Sequence, residues 1–267
     1  MSLVEGHNIV AIGAGSGLGR GVVRRMVEAG ARVTVLEISA EKAASLEAEF
    51  GDAILAVTGD ATLVPDLEAC RAAHVARFGA VDALICFQGV WDGNVPLAKI
   101  EPEKVSALFD ELFAINVKSC MLAARVFDEL LRDGGGAVVL TSSNAAYAAD
   151  GGGACYTSTK GALRSLVGQL AFEFAPNVRV NAVAPSAIAK SELRGPAALG
   201  MGGFKQSDIP VDLMLTGYQK FALIQDFPAA EDYFDLYAVL ASKSNKVMTG
   251  QTVVAEQGLL NRAILSA

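Results

Sequence analysis

The regular alternation of short apolar runs with longer helical patterns constrains the fold of this chain more than any other feature. We predict strands at the apolar runs, which cover 8–12, 32–36, 53–57, 81–87, 137–140 and 178–183. Helical patterns lie between them, over about 16–29, 40–50, 63–78, 108–131 and 155–175. The strands are apolar without alternation, as expected when helices cover both faces of a parallel sheet. The pattern therefore predicts a doubly wound α/β domain with right-handed crossovers.

One segment, about 186–227, breaks this alternation and is rich in Gly, Ala, Pro and Met. A long insertion after the carboxyl end of a strand indicates either a lid over a site or a packed surface excursion. Its apolar side chains either line a pocket or pack against the body of the domain: Ala197, Leu199, Met201, Phe204, Ile209 and Met214. Since no long polar linker divides the chain, we predict a single domain over 1–267.

A glycine-rich loop directly follows the first predicted strand. Gly13, Gly17 and Gly19 fit the spacing GxxxGxG, whereas GxGxxG fits in no register. Glycines permit a tight turn and a close approach of the backbone to a pyrophosphate, and the following helix offers free N–H groups. The loop, with Ser16 and Leu18, is therefore expected to bind the phosphates of a dinucleotide, although a merely structural turn has the same composition.

An acidic residue, Glu37, closes the second strand 20 residues after Gly17. A carboxylate there accepts hydrogen bonds from the hydroxyls of an adenosine ribose and repels a 2′-phosphate. No Arg or Lys follows within 38–40, so we predict NAD rather than NADP as the cofactor. Asp60, followed by Ala61 after the third strand, either meets the adenine edge or serves only as a turn residue.

Four polar side chains form a candidate catalytic group. Tyr156 and Lys160 lie four residues apart in a predicted helix and so share a face. The charge of the lysine favours the phenolate and lowers the pKa of the tyrosine from about 10. Ser143 follows the fifth strand, at the edge where ligands bind in open α/β sheets, and can hold a substrate oxygen. Asn116, unfavourable inside a long helix, can anchor a water that passes protons to Lys160.

The composition argues against several other classes of protein. The chain of 267 residues has a formal net charge of −7, which argues against nucleic acid or an anionic membrane as the main partner. No uncharged apolar run reaches about 18 residues, so no membrane-spanning helix is expected, and 1–5 lack the basic start of a signal peptide. Four scattered cysteines without a CxxC pair and only two histidines indicate reduced thiols, a cytoplasmic location and no metal site.

Singly, each of these motifs has an ordinary structural explanation, but together and in this order they resemble the short-chain dehydrogenases/reductases over nearly the whole chain. The resemblance implies a single Rossmann-like domain with a seven-stranded parallel sheet, assembled as a homotetramer. It implies that Tyr156 is the general base, and that Lys160 lowers its pKa and binds the nicotinamide ribose. Ser143 would orient the substrate and Asn116 would support a proton relay. Further cofactor contacts are implied at Gln88, Gly89, Pro185 and Ile188.

A narrower likeness to the bacterial cis-dihydrodiol dehydrogenases is visible in several short stretches. These lie at 76–79, 89–92, 109–113, 115–118, 143–145, 151–153, 170–176 and, within the lid, 193–202. Those enzymes oxidise cis-dihydrodiols of biphenyl, benzene or toluene to catechols with NAD. The chain departs from the wider family pattern at Phe87 and Gln88 after the fourth strand, and at Ser186 and Lys190 after the sixth. Cofactor contacts are expected at both places.

We therefore expect NAD-dependent oxidation of an aromatic cis-dihydrodiol, a small apolar hydroxylated substrate, to the corresponding catechol. Tyr156 would take the proton, Ser143 would bond the same oxygen and Asn144 would bind a second hydroxyl. Two alternatives remain: NAD-dependent oxidation of another bulky aromatic or alicyclic secondary alcohol, and a non-catalytic NAD-binding scaffold. The apolar helices at 108–131 and 155–175 either form a four-helix dimer interface or pack only against the sheet.

Overall fold

A seven-stranded parallel sheet forms the centre of the molecule. The computed structural model describes residues 2–261, so Met1 and 262–267, the two ends of the predicted domain, lie outside the described residues. The strands are β1 (Asn8–Ile12), β2 (Arg32–Glu37), β3 (Ile54–Thr58), β4 (Ala83–Cys86), β5 (Ala137–Thr141), β6 (Arg179–Pro185) and β7 (Thr252–Ala255). They lie in the order β3-β2-β1-β4-β5-β6-β7, and every neighbouring pair is parallel. The predicted doubly wound, Rossmann-like architecture is confirmed.

Helices connect these strands and cover both faces of the sheet. Within residues 2–261 the α-helices are α1 (Gly17–Glu28), α2 (Ala40–Phe50), α3 (Val64–Phe78), α4 (Pro102–Phe113), α5 (Ser119–Gly134), α6 (Ala154–Phe174), α7 (Val211–Phe221) and α8 (Phe234–Ala241). Successive side chains of a strand point to opposite faces, so Ile9 packs with Met26 of α1 and Tyr237 of α8, whereas Val10 packs with Phe127 of α5. Burial on both faces explains why the strands are apolar without alternation.

The helix predicted over 108–131 is wrong as a single element. The chain forms α4, then a π-helical segment (Ala114–Lys118), then α5. Asn116 lies in this segment, fully buried, and its side chain is bonded to Val90 and Thr159 rather than to its own helix. Single-turn π segments frequently occur at functional sites. Val90 and Thr159, which Asn116 contacts, are distant from it in sequence. Helical periodicity therefore could not predict this π-helical segment.

The lid, residues 186–227, contains short 3-10 turns and α7. It is joined to the body of the domain by a small β-bridge. Arg194 pairs with Val90, and its carbonyl accepts a hydrogen bond from the N–H of Trp91 at 3.0 Å. For the apolar lid residues the structure favours packing against the body of the domain over lining a pocket. Leu199, Phe204 and Ile209 pack against a buried cluster that includes Trp91, and none of the six predicted residues lines the cleft described below.

No helix within residues 2–261 combines the length and the apolar character that crossing a membrane requires.

Candidate functional site

A cleft of about 490 Å³ opens at the carboxyl edge of the sheet, where the strand order reverses between β1 and β4. Open α/β sheets bind their ligands at such a reversal. The lining includes every predicted site residue except Asn116: Gly13, Ser16, Gly17, Leu18, Gly19, Glu37, Asp60, Ala61, Gln88, Gly89, Ser143, Asn144, Tyr156, Lys160, Pro185 and Ile188. The fold therefore brings the predicted cofactor loop and the predicted catalytic residues into one continuous cavity.

The glycine loop between β1 and α1 permits close backbone approach. Gly13 has a φ of +72°, and a Cβ there would lie 2.7 Å from the Cβ of Gln88, so a larger residue requires displacement. α1 begins at Gly17, and the preceding Ser16 makes no side-chain capping bond to the helix. Uncapped N–H groups and the positive end of the helix dipole favour a phosphate. The loop therefore fits the pyrophosphate of a dinucleotide.

Two carboxylates line the cleft at the carboxyl end of the sheet, one at the end of β2 beside the glycine loop and one after β3. Glu37 is buried, and its carboxylate accepts hydrogen bonds from the N–H groups of Gly15 (2.9 Å) and Ser39 (3.1 Å). The carboxylate of Asp60 accepts from the N–H of Thr62 at 2.8 Å. Each carboxylate oxygen has two lone pairs, so Glu37 can accept further bonds from ribose hydroxyls. The donors and acceptors at this end fit an adenosine without a 2′-phosphate.

The catalytic candidates Tyr156 and Lys160 lie in the first two turns of α6. The Lys160 ammonium nitrogen lies 5.5 Å from the centroid of the Tyr156 ring and donates to the carbonyl of Thr141 at 2.9 Å. Burial raises the pKa of the Tyr156 phenol to about 12, while a hydrogen bond with Ser143 lowers it and the charge of Asp92 raises it. Burial lowers the pKa of the Lys160 ammonium to about 8. The pair therefore lies in an apolar setting where electrostatic effects are strong.

Ser143 and Asn144 lie beside this pair, in the loop that follows β5. The Ser143 hydroxyl donates to the Asn144 amide oxygen at 3.1 Å and accepts from the N–H of Ala145 at 3.2 Å. A short 3-10 turn over 144–146 thus fixes the serine close to the phenol of Tyr156. The two neighbouring polar groups can each hold one hydroxyl of a bound molecule.

Asn116 does not reach the cleft. Its amide oxygen accepts from the N–H of Val90 at 2.8 Å, and its amide nitrogen donates to the carbonyl of Val90 (3.0 Å) and the hydroxyl of Thr159 (3.0 Å). Both amide hydrogens are therefore used, so the side chain could hold a water only through the second lone pair of its amide oxygen. The predicted water-anchoring role remains a prediction, but the structure gives the side chain a second task. It ties the backbone at Val90 to α6.

Sequence reasoning missed Asp92, which immediately follows the segment that Asn116 holds. Its carboxylate is 1% exposed and accepts hydrogen bonds from the N–H groups of Gly153 (2.7 Å) and Tyr156 (2.9 Å). We call residues 90–92 the strap, because it runs across the start of α6. Asp92 lies within the stretch 89–92 that carries part of the narrower likeness, but an acidic residue before Gly93 is also typical of an ordinary turn, so no role could be assigned to it from the sequence.

The departures from the family pattern have separate structural explanations. Phe87 lines the cleft and lies with its ring 4.9 Å from that of Tyr237 in the core. Gln88 donates to the hydroxyl of Ser119 at 2.7 Å, while its own amide oxygen is buried without a partner among the described residues. The Ser186 hydroxyl bonds Gln257 at 2.6 Å.

Lys190 does not line the cleft. It is exposed and has a φ of +56°, and the next two residues, Ser191 and Glu192, line the cleft instead. A left-handed residue turns the chain sharply, so this position directs the lid back over the site. The lysine therefore belongs to the outer surface of the lid.

The comparisons with known proteins agree with this geometry. The family described as "short chain dehydrogenase" matches residues 7–199, so the chain belongs to the short-chain dehydrogenases. These are oxidoreductases that act on CH–OH donors, and the family and enzyme class predicted from the motifs are confirmed.

The matched curated relatives include dihydrodiol dehydrogenases. The chain is 40% identical over 264 residues to the cis-2,3-dihydrobiphenyl-2,3-diol dehydrogenase of Pseudomonas putida, covering 98% of this chain and 94% of the relative. It is also 40% identical over 267 residues to the 3-phenylpropionate-dihydrodiol/cinnamic acid-dihydrodiol dehydrogenase of Escherichia coli O157:H7, covering 99% and 97%. The narrower likeness seen in the short stretches therefore extends over both chains.

Solved structures give the same fold. A 3-ketoacyl-(acyl-carrier-protein) reductase from Brucella melitensis, complexed with NADH, has a TM-score of 0.80 at 26% identity and covers 97% of this chain and 99% of its own. A second short-chain dehydrogenase/reductase from Brucella melitensis has a TM-score of 0.81 at 22% identity, covering 97% and 98%. The second likeness bears on the fold alone.

Proposed function

We propose that this chain oxidises a cis-dihydrodiol of an aromatic compound to the corresponding catechol, with NAD as the hydride acceptor. The observation that carries the proposal is the pair of hydrogen-bonded polar groups, Ser143 and Asn144, beside the phenol of Tyr156. A cis-diol presents two adjacent hydroxyls, and these two groups can hold both. The full-length likeness to two dihydrodiol dehydrogenases supports the same assignment.

Three side chains of the site have separate roles in the proposed reaction. Tyr156, as the phenolate, takes the proton of the hydroxyl that becomes a carbonyl, while Ser143 holds that oxygen and Asn144 holds its neighbour. NAD, when bound, supplies the acceptor for the hydride of the same carbon. The hydroxy ketone then tautomerises to the aromatic catechol, so the gain of aromaticity makes oxidation favourable.

The electrostatics of the site predict a rate that rises from neutral to alkaline pH. Tyr156 must lose its proton to act, and burial holds its pKa near 12 before cofactor and substrate bind. Below the Lys160 pKa of about 8 the lysine is charged and favours the phenolate, so in that range it lowers the pH at which the base becomes available. The acid limb of the pH–rate profile therefore reports the ionisation of Tyr156.

The carboxylate of Glu37 supports NAD over NADP. It is buried and held by two backbone N–H groups, so the carboxylate has a fixed position in the lining of the cleft. Repulsion between a fixed carboxylate and a phosphate disfavours NADP. We expect kcat/KM to be much higher with NAD, and replacement of Glu37 by serine to reduce that preference.

The test is NADH formation by the purified chain with NAD or NADP and a panel of substrates. The panel holds biphenyl and 3-phenylpropionate cis-dihydrodiols and a bulky monohydroxy alcohol, and Tyr156→Phe is the matched control. Turnover of a cis-dihydrodiol to its catechol supports the proposal. Turnover of the monohydroxy alcohol alone, or NADH binding without any turnover, would contradict it and favour one of the two alternatives.

The assembly, location and domain extent belong to the same proposal. We propose a homotetramer in the cytoplasm, with 1–267 as one domain. Phe109 of α4 and Met121 of α5 are each about half exposed, at 47% and 50%, and the ring of Phe109 stacks on Phe113 at 4.2 Å. An apolar face of this kind supports pairing of these helices between two copies. Light scattering coupled to gel filtration measures the mass of the assembly, and a monomeric or dimeric mass would contradict the tetramer.

A further inference from the structure

Asp92 is a fully buried carboxylate at the start of the helix that carries Tyr156 and Lys160. One carboxylate oxygen accepts from the N–H of Gly153 at 2.7 Å and the other from the N–H of Tyr156 at 2.9 Å. α6 begins at Ala154, so both donors are among the N–H groups that a helix leaves without partners at its first turn.

A buried charge is costly unless it is compensated, and here the compensation comes from α6 itself. Two charge-assisted hydrogen bonds and the positive end of the helix dipole stabilise the carboxylate. Gly153 and Asp92 are in close contact, and a Cβ added to Gly153 would lie only 2.7 Å from a carboxylate oxygen of Asp92. One of the two donors is the backbone N–H of Tyr156, so the carboxylate fixes the chain at the residue that carries the phenol.

The strap that carries Asp92 is itself held from two sides. Asn116 bonds both the N–H and the carbonyl of Val90, and the lid carbonyl of Arg194 accepts from the N–H of Trp91. Asp92 therefore lies in a segment whose backbone is fixed by hydrogen bonds, and it connects this segment to the first turn of α6. Its two donors lie 61 and 64 residues further along the chain.

We propose that Asp92 is a positioning residue, which holds the first turn of α6 against the strap so that the Tyr156 hydroxyl stands at the distance from Ser143 and substrate that proton transfer requires. This inference rests on the proposed function for its kinetic consequence. Its structural content, the anchoring of two named N–H groups, is independent of the substrate. Displacement of a reacting group by about 1 Å can cost about 10²-fold in rate.

The charge of Asp92 gives the proposal a signature that an ordinary structural residue lacks. The described groups that face Tyr156 are Asp92 from the strap, Lys160 from α6 and the Ser143 hydroxyl from the loop after β5, while α4 contributes apolar Leu108. Asp92 raises the pKa of Tyr156, since a nearby negative charge disfavours the phenolate. Removing that charge lowers this pKa, so the acid limb of the pH–rate profile moves to lower pH.

The test compares Asp92→Asn with Asp82→Asn. Asp82 is also buried and accepts from a backbone N–H, that of Asn8 at 2.7 Å, but it precedes β4 at the opposite edge of the sheet. In Asp92→Asn we expect kcat to fall about 10²-fold, the Kd of NAD to stay the same and the acid limb to move to lower pH. Hydrogen exchange at the N–H groups of Gly153 and Tyr156 should accelerate. Asp82→Asn should lower Tm without any of these changes.

Two results would overturn the proposal. One is an Asp92→Asn enzyme with the kcat and acid limb of the parent. The other is a loss of kcat no larger than in Asp82→Asn, with an unmoved acid limb. If Asp92→Asn fails to fold, Asp92→Ser supplies a hydroxyl that can accept one of the two bonds, and the same downward movement of the acid limb is expected. A parent enzyme that turns over no diol contradicts the proposed function, whereas the exchange rates still decide whether Asp92 anchors α6.

Discussion

The catalytic region and the part of the lid that passes over the glycine loop are held in place by different kinds of interactions. Asn116, Ser143, Tyr156 and Lys160 are all less than 10% exposed and are bonded to neighbouring buried backbone and side-chain groups. Where the lid, 186–227, passes over the cofactor loop, Glu192 pairs with Lys42 of α2 and with Lys205 of the lid itself, and these side chains are about one-third to one-half exposed. Buried hydrogen bonds hold a fixed geometry, whereas exposed ion pairs are worth little and break easily. The chemistry is thus built on rigid elements, whereas the contact of the lid over the glycine loop is held only weakly.

The contact between lid and cofactor loop centres on Glu192. Its carboxylate pairs with Lys42 at 3.2 Å and Lys205 at 3.1 Å, and Lys42 also donates to the Ser16 hydroxyl at 2.7 Å. The backbone of Glu192 would lie 3.4 Å from a Cβ on Gly17, so the lid passes directly over the glycine loop. We therefore expect a dinucleotide bound at the glycine loop to lie next to this contact.

The largest effect is expected from Tyr156→Phe, which removes the hydroxyl that takes the proton. Loss of a positioned general base lowers the rate by about 10²–10⁴-fold. The Kd of NAD should stay close to that of the parent, because the glycine loop and Glu37 are untouched. Initial rates and a cofactor titration measure the two quantities, and a normal kcat would remove Tyr156 from the role of base.

Lys160→Met is expected to have the second-largest effect. It removes the positive charge beside the phenol, while methionine keeps an unbranched apolar side chain. The pKa of Tyr156 then rises, so the acid limb of the pH–rate profile moves to higher pH, the direction opposite to that of Asp92→Asn. An opposite charge at this range changes the rate at neutral pH by about 10–10³-fold. The complete profile is the measurement, and an acid limb that stays in place would contradict the pairing of the two residues.

Asn116→Ala should combine a stability loss with a loss of activity. It removes the side-chain partner of the buried N–H and carbonyl of Val90 and one of the two bonds of the Thr159 hydroxyl, which costs about 1–3 kcal/mol. Asn181→Ala is the matched control, since Asn181 is equally buried and bonds the backbone of Met248 and Gln251 away from the cleft. Urea unfolding and kcat measured together decide the point. Equal losses of kcat in the two variants would show that Asn116 acts only through stability.

Glu192→Gln should have the smallest effect, confined to the lid. Partly exposed ion pairs contribute about 0–1 kcal/mol, so Tm should change little. The KM of NAD and the rate of NADH release should change, while the acid limb set by Tyr156 should not. Glu231→Gln, which breaks a comparably exposed pair with Arg24 at 3.1 Å, serves as the control. A Glu192→Gln enzyme with the same cofactor kinetics as this control would mean that the ion pairs do not hold the lid.

The same contrast explains how much could be predicted from the sequence. Strand positions, the glycine loop, Glu37 and the four-residue spacing of Tyr156 and Lys160 are local patterns, and each lies in the structure where the pattern placed it. Strand ends differ by one or two residues, as for β6, which begins at Arg179 and ends at Pro185. Local patterns were sufficient for the elements on which the chemistry is built.

The missed features depend on contacts between distant parts of the chain. The π-helical segment accompanies the bonds of Asn116 to Val90 and Thr159, and Asp92 acquires its partners more than 60 residues later in the chain. The lid posed a different problem, because apolar composition does not distinguish side chains that line a cavity from side chains that fill a core. Phe204 packs beside Trp91, while half-buried Gln206 lines the cleft.

The most direct test of the central claim is the initial rate of NADH formation from an aromatic cis-dihydrodiol and NAD, with the product identified by mass spectrometry. We predict that the parent chain forms one catechol for each NADH, and that Tyr156→Phe forms neither at a comparable rate. A parent chain that binds NAD but forms no catechol from any cis-dihydrodiol would contradict the account.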